Sequence, residues 1–477
     1  MDLAKPDLWK NTAISCTSVR FEKLNKFFIE IEIQQIMKTI DFADSKPSST
    51  NIRLFTTDHP DIPVPNKERI QFLDILRGIA ILFILVANIH YLSGEYFIPE
   101  AQKALMKTAS LDYVMEILSF IFVDGKFYSV FSILFGIGFA LQYQRMNKDD
   151  KVFVPFFRKR MLGLLIIGSV HLFLIWLGDI LTLYALVGFT LIWFRNFSDK
   201  RLLLWTGILL LMPVVHWLAM YLTDNFYPGY FYRLHDELAS TATTEIADGQ
   251  KITRFSIRDY MAISGIHELL EVNLLMPLRR LGGILWEGRL FKVLALFLLG
   301  IWAGRQILER NILSNTALLK KTFLWGMVIG LPMNLLRTWV EFGHFSGELW
   351  PLAEFALNAL ALTPMAVAYC AAVAIVVTRC PQWLGWFVPV GRTALSNYLF
   401  QSLICIFIFY GVGLGYGGTL GYSTVLMVAI VLFGWQIIFS TFWLKYFRFG
   451  PVEWLWRQLT YGKRVKLLKP LKTNHAM

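Results

Sequence analysis

Charge is scarce in this chain of 477 residues: Asp, Glu, Lys and Arg together make up 17%, while 56% is hydrophobic and 15% aromatic. An average soluble domain carries about 25% charged residues, so the shortage argues against an ordinary cytosolic enzyme. Cysteine is scarcer still, with four residues. Cys370 and Cys405 fall inside apolar runs, Cys380 at the edge of one and Cys16 in a polar tail. None has the spacing of a metal site or an obvious pairing. A Walker-type phosphate loop is missing, as is His-Glu-x-x-His, so neither a metal nor a bound cofactor is expected. The N-terminus lacks an apolar stretch followed by small residues, which argues against a cleaved signal peptide. The strict alternation of a membrane barrel is also absent.

The sequence does contain apolar runs about as long as a bilayer is thick. A helix needs about 20 apolar residues to cross the hydrocarbon, and ten segments qualify: 72–95, 120–143, 161–178, 180–196, 202–222, 286–305, 321–340, 351–378, 393–412 and 422–446. The expected fold is therefore an all-α, polytopic membrane helix bundle of about ten spans. The segments on the side where the first span begins carry 23 Lys and Arg, against 8 on the other. By the positive-inside rule, both termini are expected in the cytoplasm. The net charge of +12 sits in short blocks between the runs, which reads as membrane-surface charge and excludes nucleic acid as a partner.

Residues 1–71 read as a polar tail and linker, 72–446 as the bundle, and 447–477 as a basic tail suited to an anionic inner leaflet. A short surface helix at Phe27–Met37 is as plausible as an extended tail. The segment 223–285 is the large outer loop, with the composition of a lid of surface helices.

Ionisable groups at membrane depth are costly and mark function. In the first span, Asp74 and Arg77 are helical neighbours, and Asn88 follows eleven residues later, three turns up on nearly the same face. His171 stands eleven residues after Arg160, which sets it level with Asn88 and makes it the candidate general base. Asp179 is too far along a continuous helix to orient His171, so a dyad of the two requires a broken helix. Asp124, Asp179 and Arg337 count to the outer side as an acceptor site. Arg392 and Gln401, with Asp74 and Arg77, count to the inner side as a donor site. Each of these groups has a plain structural role as an alternative, as ion pair, packing residue or interhelical link.

These motifs, namely Leu73-Asp-x-x-Arg-Gly with Asn88, Phe131-Ser-Ile-Leu-Phe-Gly-Ile-Gly138, His171 with Gly178-Asp-Ile-Leu, Gly391-Arg-Thr-Ala-Leu-Ser-Asn-Tyr-Leu-x-Gln-Ser402 and Phe449-Gly-Pro-x-Glu-Trp-Leu-Trp-Arg457, resemble the YeiB-like family. This group of bacterial inner-membrane proteins is catalogued as domain of unknown function 418. More remotely the chain is similar to membrane acyltransferases, such as the lysosomal heparan acetyltransferase, that pass an acyl group from cytosolic acyl-coenzyme A to a polar acceptor across the bilayer. The histidine of that transferase lies beyond its first span, and His90 stands too early in this chain to match it.

The remote similarity, with polar residues at three depths, points to acyl transfer, with acyl-coenzyme A as co-substrate and a small molecule or glycan as acceptor. Asp74, Arg77, Arg392 and Gln401 would bind the donor, His171 and Asn88 would be catalytic, and Asp124, Asp179 and Arg337 would hold the acceptor. A secondary transporter of a small polar or anionic solute is the alternative reading, and a non-enzymatic envelope scaffold is a third. Oligomeric state is not legible.

Overall fold

A computed structural model describes residues 70–238, 242–247, 250–255, 257–343 and 350–469. The proposed tail helix at Phe27–Met37 lies outside the described residues, as does the end of the basic tail.

Each of the ten apolar segments contains a helix. Eleven helices cover them, because two share the segment 120–143; in chain order the first are α1 (Gln71–Leu92), α2 (Ala109–Phe122), α3 (Lys126–Arg145), α4 (Asp150–Leu174), α5 (Leu181–Phe194) and α6 (Asp199–Leu222). After the long connection come α10 (Arg289–Arg310), α11 (Thr316–Phe342), α12 (Trp350–Arg379), α14 (Ala394–Phe409) and α15 (Tyr422–Tyr446). Between the two groups lie α7 (Pro228–Leu238), a hairpin of β1 (Ala242–Ala247) and β2 (Gln250–Phe255), α8 (Ile257–Ala262) and α9 (Ile266–Trp286). The short α13 (Phe387–Arg392) precedes α14, and α16 (Pro451–Tyr461) follows α15.

Among the described residues, seven helical stretches are long and apolar enough to cross a membrane, and α5 and α14 are shorter apolar helices. The outward faces are strongly apolar, with Trp193, Ile438 and Val431 each about 70% exposed. Such side chains are at home in lipid and misplaced in water. The chain is a polytopic membrane protein built as a helix bundle. The end holding the starts of α1 and α4 is called the tail end below, and the end holding the long connection the loop end.

Two departures from the sequence reading matter for the site. The segment 120–143 is not one helix: the chain breaks at Val123–Gly125, where Gly125 takes a φ of +73°, a conformation costly for residues with a Cβ. The segment 223–285 is more than a lid, because α9 runs 21 residues to Trp286 and packs on α4 and α7.

Close backbone contact sets the bundle where α1 meets α13. A Cβ on Gly391 would overlap the carbonyl oxygen of Asp74, and one on Gly78 would overlap that of Phe387. Small residues at such crossings let helices gain dispersion contacts in a medium that gives no hydrophobic drive for helix pairing. The same contact brings Arg392 beside the Asp74–Arg77 turn.

Candidate functional site

The bundle encloses a cavity of about 1300 Å³. Asp74, Arg77, Arg145, Arg160, Arg392 and Arg457 line its tail end, and His90, Glu116, Asp124, Lys292 and Arg337 line its loop end. Phe131, Phe135 and Tyr184 also line it, giving an apolar wall alongside two charged ends.

At the tail end, Asp74 Oδ1 accepts a hydrogen bond from Arg77 Nη1 at 2.9 Å. Arg160 lies with its guanidinium carbon 3.9 Å from the centre of the Trp456 ring, and the Trp456 indole donates to the Arg160 carbonyl at 2.8 Å. Helix α16 is thereby drawn over this end. Its Glu453 accepts from the Leu395 and Ser396 amides at 2.7 and 3.1 Å and from Ser396 Oγ at 2.5 Å. A carboxylate on one helix thus satisfies the otherwise orphaned first amides of α14 and complements its dipole. Partial burial of that carboxyl pushes it above the ordinary glutamate range.

The residues expected to form the donor site separate. Asp74, Arg77 and Arg392 line the cavity. Gln401 is buried away from it, donating to Gln436 Oε1 at 2.9 Å. Neighbouring Asn397 donates to Ser440 Oγ at 3.0 Å, so this polar ladder ties α14 to α15 inside the packing.

The expected catalytic pair also separates. Asn88 lines the cavity; His171, at 0% exposure, does not. Helix α4 ends at Leu174, the chain turns through 175–180, and Asp179 returns to meet the imidazole. His171 Nδ1 lies 2.9 Å from Asp179 Oδ1, and Nε2 lies 2.9 Å from Ser402 Oγ. A carboxylate only accepts, so the proton sits on Nδ1, and Nε2 accepts from the serine hydroxyl. The same Asp179 accepts from the Leu181 and Thr182 amides at 3.1 and 2.7 Å, capping α5. The helix break that a dyad requires is present. The resulting Asp–His–Ser chain is sealed in the protein, where it joins α4, α5 and α14.

Asp179 accordingly does not join the outer acceptor set. Asp124 and Arg337 do meet, with Arg337 Nη2 donating to Asp124 Oδ2 at 2.6 Å and Nε donating to Asn358 Oδ1 at 2.5 Å. Both line the cavity.

The imidazole on the cavity wall is His90. It sits in the last turn of α1, and the chain then turns through Gly94, with a φ of +72°, to bring Glu95 back against it. His90 Nδ1 is 3.2 Å from Glu95 Oε2, and Nε2 is 3.8 Å from Glu116 Oε1. Lys103 Nζ lies 3.2 Å from Glu95 Oε1, and Tyr422 and Tyr96 frame the ring at 4.8 and 5.2 Å. Carboxylates flank both ring nitrogens, Glu95 Oε2 within ion-pair distance of Nδ1 but without a hydrogen bond to it and Glu116 Oε1 farther from Nε2, so Nε2 is the less closely approached nitrogen and the candidate base on the cavity wall. Sequence spacing hides it because five residues is not a helical neighbour distance; the signal is the Ser-Gly-Glu turn directly after the helix.

A family profile described as "Protein of unknown function (DUF418)" matches residues 303–463. The chain is 31% identical over 410 residues to "Uncharacterized protein YxaH" of Bacillus subtilis, covering 84% of this chain and 96% of that one. It belongs to the YeiB-like DUF418 family. YeiB of Escherichia coli is 28% identical over 419 residues, covering 82% of this chain and 96% of its own. An "Uncharacterized 39.9 kDa protein in amylase 3'region" of Bacillus acidopullulyticus is 27% identical over 414 residues, covering 85% and 98%. The matched profile spans Arg337, Arg392, Gln401, Ser402 and Glu453. His90 and Asn88 lie outside it.

Proposed function

We propose that this protein is a membrane-embedded acyltransferase of a bacterial plasma membrane, with about ten spans and both termini cytoplasmic. The observation that carries this reading is His90, backed by Glu95, on the wall of a cavity whose other end is rich in arginine. Thirteen residues of α1 separate Arg77 from His90, about 20 Å at 1.5 Å per residue. That separation suits the extended pantetheine arm of coenzyme A. Arginine is well shaped to grip phosphate, so Arg77, Arg160 and Arg392 would hold the donor's phosphates at the tail end.

The acyl thioester would then lie near Asn88 and His90. Nε2 of His90 takes the proton of the acceptor hydroxyl or amine as its oxygen or nitrogen attacks the thioester carbon. The carbon–sulfur bond breaks, and the imidazolium returns the proton to the leaving thiolate. Glu95 stabilises the charged ring, and Asn88 supplies a hydrogen-bond donor for the carbonyl oxygen. Asp124 and Arg337 orient the acceptor. His171 has no chemical part in this scheme; it is a positioning residue that holds the broken end of α4.

The test is to incubate purified protein with acetyl-coenzyme A labelled on the acetyl group and with candidate polar acceptors. Transfer is expected in the wild type, falling about 10²–10⁴-fold in His90→Ala, the usual contribution of general-base catalysis. In folded His171→Ala it survives. Transfer that disappears with His171 and not His90 overturns the assignment. Solute uptake into vesicles without any acyl transfer favours a carrier.

A further inference from the structure

At the loop end of the cavity one cation, Lys292, has no carboxylate within ion-pair distance among the described residues. Helices α3 and α10 pack along each other. They begin at Gly125 and Gly288, and no side chain caps either one. Backbone carbonyls take the Lys126 and Phe291 amides, and the positive ends of the two helix dipoles face this end without a side-chain cap. Their first turns carry Lys126, Tyr128, Arg289 and Lys292.

Most of the cations here are spent. Arg289 is held by Glu287 through two contacts of 2.6 and 2.8 Å. Lys126, wholly buried, donates to the Phe120 carbonyl at 2.6 Å. Arg337 grips Asp124 and Asn358, but its Nη1 is buried without a hydrogen bond. Lys292 is different. It is 9% exposed and lines the cavity, with its ammonium 5.1 Å from the Tyr128 ring centre. Among the described residues no carboxylate comes within 4 Å of it. Asp124 is paired to Arg337, and Glu341 and Glu354, which line the same end, make no ion pair with Lys292. A cation at membrane depth with an aromatic face beside it and no carboxylate in ion-pair reach is costly unless an anion joins it.

We infer that the loop end of the cavity binds an oxyanion, a carboxylate or phosphate group, between Lys292 and the first turns of α3 and α10, so that the acyl acceptor is itself an acid. The word acceptor rests on the transfer reading; the anion site does not.

The experiment uses the full chain in phosphatidylcholine nanodiscs. Inorganic phosphate or acetate is titrated from solution, or phosphatidylglycerol is added to the discs. The readouts are thermal stability and the fluorescence of Trp176 and Trp286, which line the cavity. A saturable response is expected, weakened about tenfold or more in Lys292→Gln, the loss of one hydrogen bond to a charged group, and restored in Lys292→Arg. A response to phosphate or acetate identifies a soluble acid as the ligand, and one to phosphatidylglycerol alone identifies a lipid headgroup; both support the site. No saturable response to any of the three, or a response unchanged in Lys292→Gln, overturns it. Transfer to neutral acceptors alongside absent anion binding would sink this inference and leave the transferase standing. Anion binding without transfer would do the reverse.

Discussion

At the scale of single residues, two histidines with similar surroundings on paper have opposite placements. His90 and His171 each have a carboxylate on Nδ1, at 3.2 and 2.9 Å, yet only His90 lines the cavity. Replacing Glu95 by Gln removes the charge that stabilises the imidazolium. It is expected to lower transfer about 10–10²-fold, within the range of second-group effects on a positioned base, while binding of labelled acyl-coenzyme A stays intact. In the sealed chain the prediction is the converse. His171→Ala or Asp179→Asn leaves buried polar atoms without partners, a loss of about 1–3 kcal/mol for each unsatisfied group. The expected signature is a lower melting temperature in detergent, with turnover per folded molecule preserved. Polar residues within the apolar helices were legible in the sequence. Which side of each helix faces the hollow was not, because one polar residue in an apolar run does not define a face. The return of Asp179 to His171 depends on a break after Leu174 that apolar composition conceals.

At the scale of elements, α16 acts as a latch. Glu453 caps α14, Trp456 covers Arg160, and both line the tail end of the cavity. The Glu453 carboxyl sits above its ordinary range, so the folded state holds a proton more readily than the unfolded chain. Stability therefore falls as pH rises from the ordinary glutamate value through the raised one. Thermal unfolding followed across that window is expected to show this slope in the wild type and not in Glu453→Gln. A wild-type slope shared by the variant would assign the titration elsewhere. The α1–α13 crossing gives a second prediction at this scale. Gly391→Val inserts carbon atoms where the Asp74 carbonyl already sits, and overpacking of this kind costs about 1–3 kcal/mol or more. Loss of folded protein in size-exclusion profiles checks it, with Gly415→Val, at a loop glycine with open space, as a comparison that retains the bundle despite its own positive φ. The ten helix positions were readable because apolar length is a local property. The break at Gly125 was not, since apolar residues continue on both sides of it, nor was α9, whose charged residues mask a helix packed against the bundle.

At the scale of the whole molecule, one cavity has two chemically distinct ends: arginines and α16 at the tail end, His90 and Lys292, a lysine without an ion pair among the described residues, at the loop end. Charge counting along the sequence grouped Asp74, Arg77 and Arg392 at one end, and all three line the cavity. It could not show that Gln401 is absorbed by packing while Arg145 and Arg457 reach the same hollow. Both termini on the cytoplasmic side is an expectation that cysteine labelling from either face of intact cells checks: single cysteines in the two tails should react only after the membrane is opened. The most direct measurement of the central claim is photolabelling of the purified chain with an acyl-coenzyme A analogue carrying a photoreactive acyl group, followed by mapping of the adduct. Saturable adducts on α1 near Asn88 and His90, competed by unlabelled acyl-coenzyme A, are the predicted result. Adducts confined to lipid-facing side chains such as Ile438 or Val431, or labelling that no competitor reduces, would contradict it.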